Sequence, residues 1–292
     1  MLLPIASHTG TAIMVKKRIV TNPEDTSRSI QRLADAIIKD YAVSTHDAVP
    51  ALFGSVLEDY GVGNSHTREW IGRLRNPERL EHLREELYSI IEHADPFEDV
   101  FGALYMATSS RSKQSGLGQF FSPQPIADLM AQFTVADLDM SQYSPERPMP
   151  VMEPTCGAGV MLLSMAKTIL RHHGREGLRR TAFYGNDLDP VCTCMAAGQM
   201  LLHVTRHDAQ VASLMIFNGN GLAPMETWRP WLYATAKPDT PENVKQGATT
   251  PPAQAEPVIA PLPHVAATVD SPSAPSRLTG SLGRDRQMGL SL

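Results

Sequence analysis

The sequence predicts an α/β protein: an N-terminal helical segment followed by a partial parallel β-sheet with crossover helices. Three observations carry that prediction. Apolar residues in the first third recur at helical spacing, short apolar runs alternate with amphipathic stretches in the middle, and the final stretch is rich in Pro, Ala, Thr and Ser. Alternating strands and helices indicate a parallel sheet, whereas a stretch with few large apolar residues cannot offset its chain entropy by burial. The expected organisation is an irregular segment over 1–25, a helical domain over 26–115, a ligand-binding α/β domain over 116–236 and a disordered tail over 237–292.

The first helix is read from Ile30, Leu33, Ala34, Ile37, Ile38 and Tyr41, with Thr26 or Ser27 as its cap. Further helices are expected over 47–60 and 68–75. Another begins at Asn76-Pro77 and carries Leu80, Leu83, Leu87, Ile90 and Ile91 on one face. A fifth is expected over 96–107 behind Asp95 as cap. After the glycine-containing stretch 112–118, a short helix starting at Ser122-Pro123 is expected to turn Ile126, Leu129, Met130 and Phe133 inward. Strands are expected over 149–152, 181–185 and 214–217. The first two are each followed by a helix, one through Met161 to Leu170 and one from Pro190 to Leu201.

With 292 residues, of which 42% are hydrophobic and 20% charged, the chain suffices for one sizeable core. No apolar run approaches the roughly 20 residues of a membrane span, and the opening residues lack the basic start and long apolar stretch of a secretory signal. A soluble, cytoplasmic protein is expected. Three cysteines, two of them at Cys192 and Cys194, read as reduced thiols and offer no zinc-ligand spacing. A net charge of −5 excludes indiscriminate nucleic-acid binding over the whole surface. Local basic clusters at 16–18, 111–113 and 171–180 leave phosphate contacts open, although such runs are usually solvated faces.

Three segments carry chemistry. In the first, 151–160, an apolar strand ends in Glu153 and opens through Thr155, Gly157 and Gly159 into a helix. Glycines permit close backbone approach, the helix start offers free N–H groups, and an acid suits an ammonium. An ordinary tight turn explains the same residues. In the second, Asp187 stands at the end of the next strand, where a carboxylate meets ribose hydroxyls in doubly wound folds, while Asp189-Pro190 reads as a helix cap. In the third, Phe121 and Ser122 precede a helix, and Ser122 suits either a capping role or a bound carboxylate.

In this order the segments resemble the N6-adenine DNA methylase family, especially the modification subunits of type I restriction–modification systems. The resemblance runs from Asp95 to Leu222. Gly118 to Pro123 is similar to a Gly-Gln-aromatic-Phe-Thr-Pro segment whose hydroxyl residue helps hold a methionine carboxylate. Glu153 to Gly159 is similar to an acid-Pro-Ala-Cys-Gly-Ser/Thr-Gly loop around the methionine part of S-adenosylmethionine (SAM), and Asp187 matches the ribose-binding acid. Phe217 to Leu222 corresponds to a turn in which Asn220 would accept from the adenine amino group, or would simply build an Asn-Gly turn. The resemblance therefore implies a Rossmann-like SAM-dependent methyltransferase fold and cofactor contacts at Phe121, Ser122, Glu153, Thr155, Gly157, Gly159, Asp187 and Asn220. It implies DNA as partner, reached through another subunit such as a specificity subunit, or through a homo-oligomer, with no metal.

The family also uses an Asn/Asp/Ser-Pro-Pro-aromatic motif to hold a flipped adenine. No such tetrapeptide occurs between Leu222 and Leu292; Thr250-Pro251-Pro252-Ala253 lacks both the polar head and the aromatic. No catalytic residue is assigned, and the domain reads as truncated, with an open sheet edge or face that invites a partner chain or self-association. Trp228, Pro230, Trp231 and Tyr233 are expected to pack over part of that surface. Two functions follow: a DNA adenine N6-methyltransferase or a subunit of one, and a SAM-binding remnant with a regulatory, decoy or assembly role. A nucleotide module for a ligand other than SAM fits less well, because it has no use for Ser122.

Overall fold

The computed structural model describes residues 3–4, 23–39, 45–74, 77–109 and 121–235, all within one compact unit, Met1–Asp239. Tyr41, the Asn76 cap, the basic clusters at 16–18 and 111–113, residues 118–120 and the expected tail over 237–292 lie outside the described residues. The N-terminal helices are α1 (Pro23–Ile38), α2 (Thr45–Asp59), α3 (Ser65–Gly72), α4 (Pro77–His93) and α5 (Val100–Thr108). Next come α6 (Gln124–Val135), α7 (Val160–Arg179, broken at Gly174) and α8 (Pro190–Arg206). The strands are β1 (Leu3–Pro4), β2 (Met149–Glu153), β3 (Thr181–Asp187), β4 (Ser213–Asn218) and β5 (Arg229–Thr235), in the order β1-β5-β4-β3-β2.

Strands β2, β3 and β4 pair in parallel and in sequence order, each joined to the next by one helix. The register aligns Glu153 with Gly185, and Asp187 with Asn218, so the strand-end residues lie at one end of the sheet. Strand β5 returns antiparallel beside β4, with a register shift at Ile216/Phe217. The sequence reading expected no strand here. Its aromatics pack, as expected: Trp228 and Trp231 are buried, and Trp231 stacks on His66 and Trp70 of α3.

The helical segment and the sheet share one apolar core. Leu33, Leu52, Phe53, Leu87 and Phe101 from the N-terminal helices join Leu162, Phe183, Met200, Leu214 and Ile216. Within it Phe53 stacks on Phe101 at 4.5 Å. Helix α8 is the hinge of this arrangement, buried along nearly its whole length and packed on β3, β4 and β5 as well as on α2, α4 and α5.

Helix α1 starts at Pro23, so the expected caps Thr26 and Ser27 lie inside it, and α3 starts at Ser65 behind Asn64, three residues before the expected 68; two further helices differ for identifiable reasons. Helix α5 starts at Val100 behind Asp99, whose carboxylate accepts from the Gly102 N–H at 2.9 Å; the expected start at Pro96 fails because Phe97 adopts a left-handed backbone, φ 64°. Helix α6 turns the opposite way. Ala127, Ala131 and Val135 are buried, while Ile126, Leu129, Met130 and Phe133 face solvent. The cause lies in Asp128, which accepts from Ser164 Oγ at 2.6 Å and pairs with Lys167 Nζ at 3.0 Å on α7. The two alanines let the helices approach closely, and the sheltered ion pair fixes the rotation.

The turn around Phe97 is held by His203 of α8. Its Nδ1 accepts from the Phe97 N–H at 3.0 Å and its Nε2 lies 2.8 Å from the Glu98 carbonyl, so the ring is neutral with its proton on Nε2. Burial, reinforced by His207, pushes its pKa down to about 3. Below an ordinary histidine pKa the unfolded chain takes up a proton that the folded chain refuses, so folding stability falls with acid. The slope approaches about 1.4 kcal/mol per pH unit from this group. Thermal melts between about pH 7 and pH 5 are expected to show that loss, and His203→Gln to flatten it; an equally steep profile in the variant would refute the assignment.

Candidate functional site

The residues with chemistry gather where β2, β3 and β4 end. Strand β2 stops at Glu153, and the chain turns through Pro154 to Gly159 before α7 begins. Gly157 and Gly159 both lie in the left-handed region, at φ 53° and 97°. A side chain at Gly159 would meet the Ala196 backbone of α8 at 3.2 Å, so the loop sits tightly against that helix, and its left-handed backbone favours glycine. Gly159 is itself the N-cap of α7 and supplies no side-chain cap, which leaves the first-turn N–H groups of α7 to a ligand or water.

Asp187 closes the loop from the next strand. One carboxylate oxygen accepts from the Gly157 N–H at 2.8 Å and the other from the Asp189 N–H at 2.9 Å. Burial raises its pKa, although the backbone donors of Asp189, Gly157 and Leu188 oppose the rise. A carboxylate offers about four acceptor sites, so these donors do not exhaust it. Glu153 is engaged on one oxygen, which accepts from the backbone N–H and the hydroxyl of Thr155, both at 3.2 Å; its second oxygen takes part in neither bond.

The turn after β4 completes the rim. At Gly221 an added side-chain carbon would lie 2.6 Å from the Pro154 carbonyl, so this turn abuts the Glu153–Thr155 loop. Asn220 uses its side-chain oxygen to accept from the Leu222 N–H at 3.0 Å, and its backbone carbonyl takes the Trp228 indole N–H at 2.8 Å. It is thus seen in the turn-building role, with one lone pair of the amide oxygen still open. The Phe121 ring lies against Gly157 and 5.6 Å from Tyr105. Ser122 is exposed and does not cap α6, whose N-cap is Pro123. Asp189 caps α8 through the Val191 N–H at 2.8 Å.

The structure therefore brings Phe121, Glu153, Thr155, Gly157, Gly159, Asp187 and Asn220 around one sheet end, with Ser122 next to Phe121 in the chain. Three positioning residues escaped the sequence reading. Asn186 donates from Nδ2 to the carbonyls of Pro154 and Gly219 at 2.9 and 3.0 Å, tying the two rims together. Asn218 donates to the carbonyls of Asp187 and Leu188. Gln199 of α8 accepts from the Phe101 N–H at 3.1 Å and donates to Asp99 and to the Ala158 carbonyl. The available signal was polarity: each is an amide within an apolar strand or helix.

Burial raises the pKa of Cys156, Cys192 and Cys194, and all three are free thiols, so none is a ready nucleophile. Among the described residues there is no cluster of His, Cys, Asp and Glu arranged for a metal, and no helix long and apolar enough to cross a membrane. The basic run near the end of α7 is partly spent on local pairs, Arg180 with Glu176 and Arg175 with Asp208.

Residues 93–230 match the family model described as N-6 DNA Methylase. The matched segment, just under half of the chain, is similar to that family. A curated relative, the type I restriction enzyme MpnII methylase subunit of Mycoplasma pneumoniae, is 29% identical over 157 residues, covering 51% of this chain and 26% of that one. This chain thus spans about a quarter of the length of the methylase subunit it matches. A solved type I restriction-modification system methyltransferase subunit from Streptococcus thermophilus is 14% identical, with a TM-score of 0.33 over 70% of this chain and 60% of that one. The matched segment begins at residue 93 and holds the whole sheet-end cluster, whereas helices α1 to α4 lie almost entirely outside it.

Gln199 is expected to matter for this cluster as much as any residue in it. Gln199→Ala leaves the Phe101 N–H and the Ala158 carbonyl without their buried partner, a loss of about 3 kcal/mol. Urea unfolding should show the midpoint falling with the m-value unchanged, and a shift below about 1 kcal/mol would refute the latch.

Proposed function

We propose that this chain binds S-adenosylmethionine and is the cofactor-holding part of a DNA adenine N6-methyltransferase, acting with further subunits. The observation that supports the reading best is the junction of the glycine loop with Asp187: a loop open to close approach, a helix start with free N–H groups, and a carboxylate with acceptor capacity to spare, all at one sheet end. The match of residues 93–230 to the N-6 DNA Methylase model supports the same reading.

The residues present fit that cofactor. Glu153 would receive the ammonium on its free oxygen, with Thr155 holding the carboxylate in place. Asp187 would accept from the ribose hydroxyls. The Gly157–Gly159 backbone and the α7 start would follow the methionine part, Phe121 would cover it beside Gly157, and Ser122 would reach its carboxylate. Asn220 would offer the open lone pair of its amide oxygen to the adenine amino group. Bound SAM supplies an electrophilic methyl group on a sulfonium. The contribution of this chain is to orient that methyl group and exclude water from it; the target base, its amine and the choice of DNA site fall to partner subunits.

Asp187 gives the direct test. Calorimetry of the full chain with SAM is expected to show binding that Asp187→Ala weakens at least tenfold, and Asp187→Asn by a similar factor, while circular dichroism is unchanged. Because burial raises the Asp187 pKa, protonation removes the acceptor at a higher pH than for an ordinary aspartate. Affinity should therefore decline on acidification earlier than a free carboxyl would dictate. No heat of binding at high micromolar protein, or an affinity indifferent to both substitutions, would refute the reading. Labelled methyl appearing in DNA adenine, once the chain is combined with its companion subunits, would carry it to the complete reaction.

A further inference from the structure

Helix α5 carries one aromatic residue to the sheet end that the cofactor contacts named above leave out. Phe101 and Leu104 on its inner face are buried in the core, and Tyr105, one turn beyond Phe101 on the same face, is half-buried. Its ring lies 5.6 Å from that of Phe121, tilted by 46°, and the Phe121 ring in turn rests on Gly157 of the glycine loop. The Tyr105 hydroxyl is also within electrostatic reach of Asp189 and Cys192: burial raises its pKa and these two groups add to the rise. Cys192 is itself influenced by Asp187. Tyr105 therefore stands between the glycine loop and the strand end that holds Asp187.

The ring is placed by the core beneath it. Gln199 accepts from the Phe101 N–H in the first turn of α5 and donates to the Ala158 carbonyl of the glycine loop. Phe101 stacks on Phe53 and lies so close to α8 that a side chain at Gly198 would meet its ring at 2.9 Å. At the far end of α5 the Thr108 hydroxyl donates to the Leu104 and Tyr105 carbonyls, and the Tyr105 hydroxyl bonds the Ser109 side chain. A single amide thus sets the distance between the helix that carries Tyr105 and the loop it faces.

Packing alone accounts for an aromatic pair, but the ligand adds a requirement. With SAM bound as proposed above, the ammonium meets Glu153, the carboxylate Ser122, the ribose Asp187 and the adenine amine Asn220. The one polar centre left without a partner is the sulfonium. Its sulfur joins the methionine part to the ribose, so it falls between the contacts made by Gly157–Gly159 and those made by Asp187. Tyr105 and Phe121 flank that interval. A sulfonium has a fixed charge and no N–H or O–H to donate, and the negative face of an aromatic ring suits such a cation.

We infer, on the reading that SAM is the ligand, that Tyr105 is a further cofactor-binding residue whose ring, paired with Phe121, faces the sulfonium and favours the charged cofactor over its demethylated product. When the bond from sulfur to the methyl group breaks, its electron pair stays on sulfur, which becomes a neutral thioether. The attraction to the ring faces is then lost, which favours exchange of spent cofactor for fresh.

Calorimetry of the full chain with SAM and with S-adenosylhomocysteine, the neutral thioether, reads the ratio of the two affinities. Tyr105→Leu should weaken SAM about fivefold more than the thioether, whereas Tyr105→Phe, which keeps the ring, should leave the ratio within about twofold of the wild type. A ring-fluorinated phenylalanine at position 105 keeps the shape of Tyr105→Phe but weakens the negative ring face. It should lower the ratio again, and it keeps the test open if Tyr105→Leu fails to fold. Equal losses for both ligands, or a ratio that the fluorinated ring leaves unmoved, would overturn the inference and leave Tyr105 as packing. A wild-type chain that binds neither ligand overturns the SAM reading along with it; a wild type that binds SAM with an unmoved ratio removes the role of Tyr105 alone.

Discussion

Two buried side chains one turn apart on α8, Gln199 and His203, hold the architecture in register. Each satisfies backbone groups that would otherwise be buried without partners. His203 serves Phe97 and Glu98, and Gln199 serves Phe101 and Ala158. Because α8 is also the crossover between β3 and β4, the same helix fixes the N-terminal helices, the glycine loop and the sheet with respect to one another. An unpaired buried amide or imidazole costs more than a made hydrogen bond gains, so this arrangement admits little slippage. The neutral state of His203 follows directly: a ring that accepts at Nδ1 and donates at Nε2 has no room for a second proton.

The cluster at the sheet end rests on that fixed frame. Asp187 is drawn toward the neutral form by burial, yet the backbone donors of Gly157 and Asp189 favour the charged one. Such a carboxylate is already oriented before any ligand arrives. Asn186 adds a second tie, drawing the Pro154 and Gly219 carbonyls to one amide, so the loops after β2 and β4 close on each other without help from a ligand. A site preorganised in this way spends little of its binding free energy on ordering loops.

Much of this was legible in the sequence, and the failures share a cause. The β-α-β alternation, the Gly157–Gly159 turn, the Asp189 cap and the placement of Asp187 at a strand end all follow from local rules of periodicity, capping and backbone freedom. What was missed depends on contacts between distant segments. The start of α5 shifted to Asp99 because a histidine more than a hundred residues away pins Phe97 in a left-handed turn. No strand is expected over β5 because its Trp228-to-Tyr233 stretch lacks alternation, and its pairing comes from β4 and from the stack with α3. The amides at 186, 199 and 218 look like ordinary polar residues until their partners are seen.

Helix α6 shows the same lesson in its sharpest form. Periodicity identified a large apolar face, and hydrophobicity alone would bury it. The structure buries Ala127 and Ala131 instead, because an aspartate–lysine pair sheltered against α7 has to be on the inner side. The first turn of α6 then lies beside the site: Gln124 accepts from the Asp99 N–H and donates to the Phe97 carbonyl, and Phe121 just before it touches Gly157. The helix that displays the apolar stripe therefore begins beside the glycine loop and shares its anchors with α5, so Gln124 and the Asp128 pair restrain it from within.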